Sequence, residues 1–76
     1  MRSDAIRAWL VAEIARVVGI APSAIDVRAP FDSLGLSSVD GVSLSGELEQ
    51  LLGCELPPTL VYEHPSIEAL AAHLGE

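Results

Sequence analysis

Apolar residues recur at helical spacing near the N-terminus of the chain. Four of them share one stripe of a helix: Ile6, Leu10, Ile14 and Val17. Ser3 or Asp4 can cap the start of this helix by accepting hydrogen bonds from free backbone N–H groups. Gly19 can end it, because glycine adopts a positive φ without steric cost. The pattern predicts an α-helix over residues 4–18.

A second helical pattern covers residues 38–52. Its apolar positions are Val39, Val42, Leu44, Leu48, Leu51 and Leu52. Gly53 can end this helix. Gly41 and Gly46 lie inside it, and each costs about 1 kcal/mol relative to alanine. We therefore predict a helix here that is weaker than its apolar pattern alone would suggest.

Residues 20–37 are predicted to form a long loop between these two helices. Residues 22–26 can hold one short helical turn, and Pro30 forbids a helix through its position. Five apolar side chains should attach this loop to the core: Ile20, Ile25, Val27, Phe31 and Leu34. A loop of this length is uncommon in a small domain and is often functional.

Two shorter helical segments follow the second helix. Residues 59–63 are long enough for one or two helical turns, and Pro65 stops them. Ser66 can cap a last helix over residues 66–74. The apolar face of that helix comprises Ile67, Leu70, Ala71 and Leu74.

The four segments predict an all-α fold, a small four-helix bundle with a long first loop and a short third helix. We expect one domain over residues 1–76, since domains span about 50 to 250 residues. Half of the residues are hydrophobic, which argues against disorder despite a net charge of -7. The chain has one Phe, one Trp and one Tyr, so the core must be aliphatic.

Charge is distributed unevenly along the chain. Residues 1–30 carry all four basic residues and three acids, whereas residues 31–76 carry eight acids and no basic residue. The acidic half repels nucleic acid and anionic lipid and attracts basic surfaces. We therefore expect protein partners, and neither nucleic acid nor a membrane. A monomer is the expectation for a module this small and charged.

The single cysteine and the hydropathy pattern bear on location. Cys54 excludes an intramolecular disulfide and fits a reducing, cytoplasmic setting. No apolar run approaches the roughly 20 residues that span a bilayer. The start of the chain leads directly into the first amphipathic pattern, so no signal peptide is expected.

The sequence shows no sign of catalysis by the chain itself. The two histidines, His64 and His73, read as surface residues near helix ends, and nothing places either beside a serine nucleophile. The sequence contains no glycine-rich phosphate loop and no metal-ligand spacing. An autonomous enzyme is not expected.

The segment with the clearest chemical signal is residues 34–42. Gly35 makes a turn that delivers Ser37 and Ser38 to the start of the second helix. Both serines are candidate helix caps. Alternatively, one hydroxyl is exposed and carries a phosphate ester, an anion that suits the N–H groups and positive dipole end of a helix N-terminus.

Residues 34–39, Leu-Gly-Leu-Ser-Ser-Val, resemble the Leu-Gly-(Leu/Ile/Met)-Asp-Ser-Leu motif of acyl and peptidyl carrier proteins. Residues 42–49 are similar to the family's second helix, and residues 56–74 closely resemble the end of polyketide-synthase acyl carrier domains. The resemblance implies a carrier of polyketide-synthase type. It places the 4′-phosphopantetheine arm on Ser38 and leaves Ser37 as the helix cap.

Two acids usual in the family are absent. Ser37 stands where the modified serine is usually preceded by Asp, and Ser43 replaces a Glu five residues after it. The resemblance implies that phosphopantetheinyl transferase, acyltransferase and ketosynthase are partners. The candidate partner-facing residues are Val39, Asp40, Val42, Glu47, Glu49 and Tyr62, with Val61 and Glu63 beside them. For Val42 core packing is an equal alternative, and for Tyr62 a packed, half-exposed ring is the alternative.

Two other functions are compatible with the sequence. One is a peptidyl carrier domain of a nonribosomal peptide synthetase, which would hold amino acids on the same arm. The other is a helical docking module that never carries a cofactor. The type of domain that loads the arm, adenylation or acyltransferase, distinguishes a peptidyl carrier from a polyketide carrier. Substitution of Ser38 tests the docking module, because partner binding by such a module would not depend on this residue.

Overall fold

The computed structural model describes residues 2–75. These residues form four α-helices: α1 (Ser3–Val18), α2 (Ser38–Leu52), α3 (Leu60–Glu63) and α4 (Ile67–Leu74). Two 3₁₀ turns, Pro22–Ala24 and Phe31–Leu34, lie in the loop between α1 and α2. Across residues 2–75 the only extended pairing is one isolated antiparallel bridge, between Pro30 and Ser66. The predicted all-α fold with a long first loop and a short third helix is confirmed.

Helix α1 begins one residue earlier than predicted. Its N-cap is Arg2, whose side chain makes no capping hydrogen bond, so neither Ser3 nor Asp4 occupies the N-cap position. The Asp4 carboxylate instead accepts from the N–H of Ala5 at 3.1 Å, inside the first turn. Gly19 ends the helix as predicted, with φ 76° and its N–H donated to the Ala15 carbonyl. Gly75, the residue after α4, packs against the backbone of Ser3. The C-terminal end of α4 therefore lies beside the start of α1.

The core is aliphatic, as its composition requires. Its fully buried large side chains are Ile6, Leu10, Ile14, Leu48, Leu60, Ile67 and Leu70. The sequence pattern places Val17 in the α1 stripe, but this residue is 43% exposed. The end of α4 lies at Ser3, and α4 has half the length of α1, so it does not cover the last turn of α1. Ala15 is buried instead.

Helix α2 turns a different face to the core from the one its apolar residues suggest. Its buried positions are Gly41, Leu44, Ser45 and Leu48, while Val39, Val42 and Leu51 are exposed. Leu52 is partly buried against the core. The Ser45 hydroxyl is satisfied by donating to the Gly41 carbonyl at 3.1 Å. Small residues on this face let α2 approach its neighbours closely, and the larger valines are left outside.

The long loop is attached to the junction between α3 and α4. The Phe31 N–H donates to the Pro65 carbonyl at 2.8 Å, and the Glu68 N–H donates to the Val27 carbonyl at 2.9 Å. Arg28 Nε lies 3.1 Å from Glu68 Oε2. Of the five predicted apolar anchors, Ile25, Phe31, Val27 and Leu34 contact the core, and Ile20 is exposed instead. These bonds hold the segment that leads into α2.

Helix α4 starts as its sequence predicts. Ser66 is the N-cap, and its hydroxyl accepts from the Ala69 N–H at 3.2 Å. Within residues 2–75 no helix has both the length and the apolar character needed to cross a membrane.

Candidate functional site

The start of α2 is fixed by a reciprocal cap. The Ser37 hydroxyl accepts from the Asp40 N–H at 3.1 Å, and the Asp40 carboxylate accepts from the Ser37 N–H at 3.0 Å. Gly35, at φ 91°, makes the turn that precedes it. The prediction that Ser37 caps the helix is confirmed. This cap leaves the next residue, Ser38, as the first residue of α2.

The Ser38 side chain is exposed and chemically available. Its hydroxyl makes no hydrogen bond with any of residues 2–75. The N–H groups of Ser38 and Val39 lie in the first helical turn, where no intrahelical acceptor exists for them. A phosphodiester on Ser38 would therefore meet free donors and the positive end of the helix dipole. The site fits a phosphate ester.

A groove of about 300 Å³ opens beside Ser38, between the loop, the start of α2 and α3. Its walls comprise Pro30, Phe31, Asp32, Leu36, Ser37, Ser38, Gly41, Val61, Tyr62 and Pro65. Gly41 sits where α2 packs closely against α3, since a Cβ there would lie 3.1 Å from Val61 Cγ2. The lining is mostly apolar, so an uncharged chain attached to Ser38 has a surface to lie against.

Three of the predicted contact residues are exposed apolar side chains near Ser38. Val39 is 72% exposed and Val42 53%, and they lie three residues apart on one face of α2. Tyr62 lines the groove and is 66% exposed. Its ring is therefore more exposed than the packed, half-exposed ring that was the alternative for this residue. Core packing is therefore wrong for Val42. Val61 is buried, so it is not part of the partner-facing surface in which the sequence analysis placed it.

The three acids of α2 have separate surroundings. Asp40 is held in the cap of Ser37. Glu47 lies 3.9 Å from Arg16 of α1, whose pKa is raised by its hydrogen bond to Glu13. Glu49 Oε1 accepts from the Leu56 N–H at 2.8 Å, and this bond is partly buried. Glu49 therefore has a structural task that the sequence did not predict, and the acids do not form one free acidic surface.

The two histidines come together, which the sequence did not reveal. Their rings stack with centroids 3.9 Å apart and an interplanar angle of 18°. His64 follows α3, and His73 lies in the last turn of α4. Among residues 2–75 no group of three or more side chains suited to hold a metal was found. Cys54 is an exposed free thiol.

Comparison with known proteins assigns the chain to one family. The family model described as a phosphopantetheine attachment site matches residues 8–74. The chain belongs to this family of carriers. The resemblance drawn from residues 34–39 is therefore confirmed, and so is the cofactor, since these domains attach 4′-phosphopantetheine.

Relatives of this carrier occur inside large synthases. The chain is 44% identical over 70 residues to part of a phenolphthiocerol/phthiocerol polyketide synthase of Mycobacterium tuberculosis. That match covers 92% of the chain and 4% of the synthase polypeptide. The chain is also 36% identical over 77 residues to erythronolide synthase EryA3 of Saccharopolyspora erythraea, and this match covers 100% of the chain and 2% of that protein. The chain thus spans a small fraction of the proteins it matches.

Solved carriers have the same architecture. A free-standing peptidyl carrier protein from Acinetobacter baumannii superposes with a TM-score of 0.90 at 37% identity, covering 96% of this carrier and 91% of that one. Asl1650, an acyl carrier protein from Anabaena sp. PCC 7120 with a variant phosphopantetheinylation-site sequence, gives 0.91 at 36% identity, covering 99% and 85%. Acyl and peptidyl carriers share this fold, so architecture alone does not tell them apart.

Proposed function

We propose that the chain is an acyl carrier domain of a polyketide synthase and that Ser38 carries the 4′-phosphopantetheine arm. The observation that carries this proposal is the Ser38 hydroxyl, which is exposed, unbonded and beside the apolar groove. Similarity to two polyketide synthases supports the class of the parent protein. The solved acyl carrier with a variant attachment-site sequence supports a carrier role for a chain whose own site sequence departs from the usual motif.

The attachment reaction needs little from the chain beyond presentation of one oxygen. A phosphopantetheinyl transferase with Mg²⁺ would direct Ser38 Oγ to the β-phosphorus of coenzyme A. A new P–O bond forms, the pyrophosphate bond breaks, adenosine 3′,5′-bisphosphate leaves, and the serine proton passes to a base of the transferase. The Ser37 cap fixes the backbone of the attacking residue during this step. The arm supplies a terminal thiol that holds acyl groups as thioesters.

The domain would then act by presentation, without catalysis of its own. Acyltransferase and ketosynthase domains are the proposed partners after the transferase, and tethering raises the effective concentration of the acyl group at each of them. Val39, Val42 and Tyr62 form an exposed apolar surface around Ser38 that suits such contacts. Asp40 and Glu47 add negative charge on the same helix and favour basic partner surfaces. A monomeric, cytoplasmic domain stays a prediction.

A peptidyl carrier is the second candidate. The free-standing peptidyl carrier from Acinetobacter baumannii supports this candidate, because its TM-score and sequence identity to the chain are about as high as those of the acyl carrier from Anabaena. The two functions differ in the enzyme that loads the arm. Offering the modified chain to acyltransferase domains with acyl-coenzyme A, and to adenylation domains with ATP and amino acids, distinguishes them.

The first experiment is intact-protein mass spectrometry after incubation with coenzyme A, Mg²⁺ and a promiscuous phosphopantetheinyl transferase. Three proteins are compared: wild type, Ser38→Ala, and Ser37→Ala, which removes the neighbouring hydroxyl as a matched control. We expect one phosphopantetheinyl group on wild type and Ser37→Ala, and none on Ser38→Ala. A group on Ser38→Ala would overturn the assignment of the site. No group on any of the three would favour a docking module without cofactor.

A further inference from the structure

The first turn of α2 closes a small hydrogen-bonded loop, the capping ring, which spans Ser38. Ser37 Oγ accepts from the Asp40 N–H at 3.1 Å, and Asp40 Oδ2 accepts from the Ser37 N–H at 3.0 Å. The Ser37 carbonyl also accepts from the Gly41 N–H at 3.0 Å, which gives the first backbone bond of the helix. Ser38 and Val39 lie inside this ring, so bonds that use neither of their side chains set the position of both.

Asp40 contributes the side chain that reaches back to the residue before Ser38. The other two acids of α2 bond elsewhere, since Glu47 lies near α1 and Glu49 bonds to the segment after the helix. Asp40 is partly buried, and it takes part in none of the ion pairs found within residues 2–75. Its carboxylate is therefore directed at the backbone of Ser37.

The bond from the Asp40 carboxylate is the stronger half of the capping ring. A hydrogen bond to an ionised carboxylate is stronger than one to a neutral hydroxyl. Helix ends fray, and Ser38 is the first residue of α2, so an open ring would let its backbone sample several orientations. Only a fraction of these would present Ser38 Oγ to the β-phosphorus of coenzyme A. Poor alignment of a reacting atom slows the reaction steeply.

We propose that Asp40 is a positioning residue for the modification of Ser38, because its carboxylate holds the Ser37 N–H and keeps the first turn of α2 closed. The inference rests on the proposed attachment of the arm to Ser38. It gives Asp40 a task that a neutral amide acceptor can also perform, whereas attraction of a basic partner surface needs the negative charge. With Ser37 in place of the usual Asp, Asp40 supplies the carboxylate of this turn.

The test measures initial rates of modification by the phosphopantetheinyl transferase with coenzyme A and Mg²⁺. Initial rates are needed because a long incubation brings a slow variant to full modification. Asp40→Ala removes both the acceptor and the charge, and Asp40→Asn keeps an acceptor without the charge. Glu47→Gln removes one charge from the same helix outside the capping ring. Glu49→Ala is the stability control, since it removes a structural bond at the other end of α2.

In Asp40→Ala we expect kcat/KM for the carrier to fall about tenfold, with the KM for coenzyme A unchanged. Asp40→Asn, Glu47→Gln and Glu49→Ala should stay within about twofold of wild type. Exchange of the Ser37 N–H with water, followed by NMR, reports the ring directly. It should be faster in Asp40→Ala than in wild type, and Asp40→Asn should match wild type.

Several outcomes would overturn the inference. An equal loss of rate in Asp40→Asn and Asp40→Ala would assign the effect to charge, and an equal loss in Glu49→Ala would assign it to general stability. A wild-type rate in Asp40→Ala would remove the positioning role, although the arm would still be attached. Absence of modification in wild type would instead overturn the proposed function and this inference with it. If Asp40→Ala does not fold, Ser37→Ala opens the same ring from its other bond, and a wild-type rate there would also contradict the role.

Discussion

Ser37 and Asp40 close a reciprocal pair of hydrogen bonds, each side chain accepting from the other's backbone N–H at 3.0 to 3.1 Å. In the chain, Ser37 directly precedes Ser38 and Asp40 directly follows Val39. The pair fixes the first turn of α2 without using the Ser38 hydroxyl. Two adjacent serines thus have separate tasks, since one builds the helix terminus and the other projects from it.

Substitution of the two serines should separate these tasks by stability. Ser37→Ala removes the cap and should lower the free energy of unfolding by about 1 kcal/mol. Ser38→Ala removes a solvent-exposed hydroxyl with no partner and should change it by less than about 0.5 kcal/mol. Urea denaturation followed by circular dichroism measures both. Equal losses for the two variants would contradict the division between cap and attachment site.

Glu49 should prove a structural residue. Its carboxylate accepts from the Leu56 N–H and thereby attaches the segment after α2. Glu49→Ala leaves that partly buried N–H without a partner and should cost about 1 to 3 kcal/mol in stability. Glu47→Ala, two residues away and exposed, is the control and should change stability much less. Thermal unfolding compares them, and a larger loss for the Glu47 variant would refute this role.

The two glycines inside α2 should respond differently to the same substitution. Gly46 has open space around it, so Gly46→Ala should stabilise the helix by about 1 kcal/mol. At Gly41 the new methyl group would lie 3.1 Å from Val61 Cγ2, which offsets the gain in helix propensity. Gly41→Ala should therefore stabilise the chain less than Gly46→Ala. Paired urea denaturation curves test the order, and the reverse order would show that α3 yields without cost.

Truncation of an exposed apolar residue of α2 should affect transfer from partner domains, whereas truncation of a buried one should affect stability. Val42→Ala should leave the free energy of unfolding nearly unchanged and slow transfer from a ketosynthase or acyltransferase partner. Leu48→Ala should cost about 2 to 5 kcal/mol, because it empties a fully buried position. Chemical denaturation and a loading assay on the same preparations separate the two effects. A destabilised Val42 variant with normal loading would argue against its place in the partner surface.

Local patterns predict the helices well. The bounds of α2 follow from Ser37 before it and Gly53 after it, and both signals act within a few residues. The caps of α4 and the positive φ of Gly19 are predictable for the same reason. The motif around Ser38 is recognisable because its neighbours sit in a turn and a cap that are encoded locally.

Features that depend on how elements meet are not predictable in this way. The apolar pattern of α2 does not distinguish Val39 and Val42 from Leu44 and Leu48. The packing of the other elements against α2 decides which pair is buried. His64 and His73 are nine residues apart on different elements, so nothing in their spacing indicates a stack. The bond between Glu49 and Leu56 likewise depends on how the chain returns after Gly53.

The contact between Gly75 and Ser3 has a mechanical consequence. The start of α1 and the end of α4 meet at the same edge of their interface. Tension applied to these two points would pull on that edge first and would separate α1 from α4 turn by turn. The bundle would therefore yield by peeling, at lower force than if its attachment points lay at opposite ends of the interface.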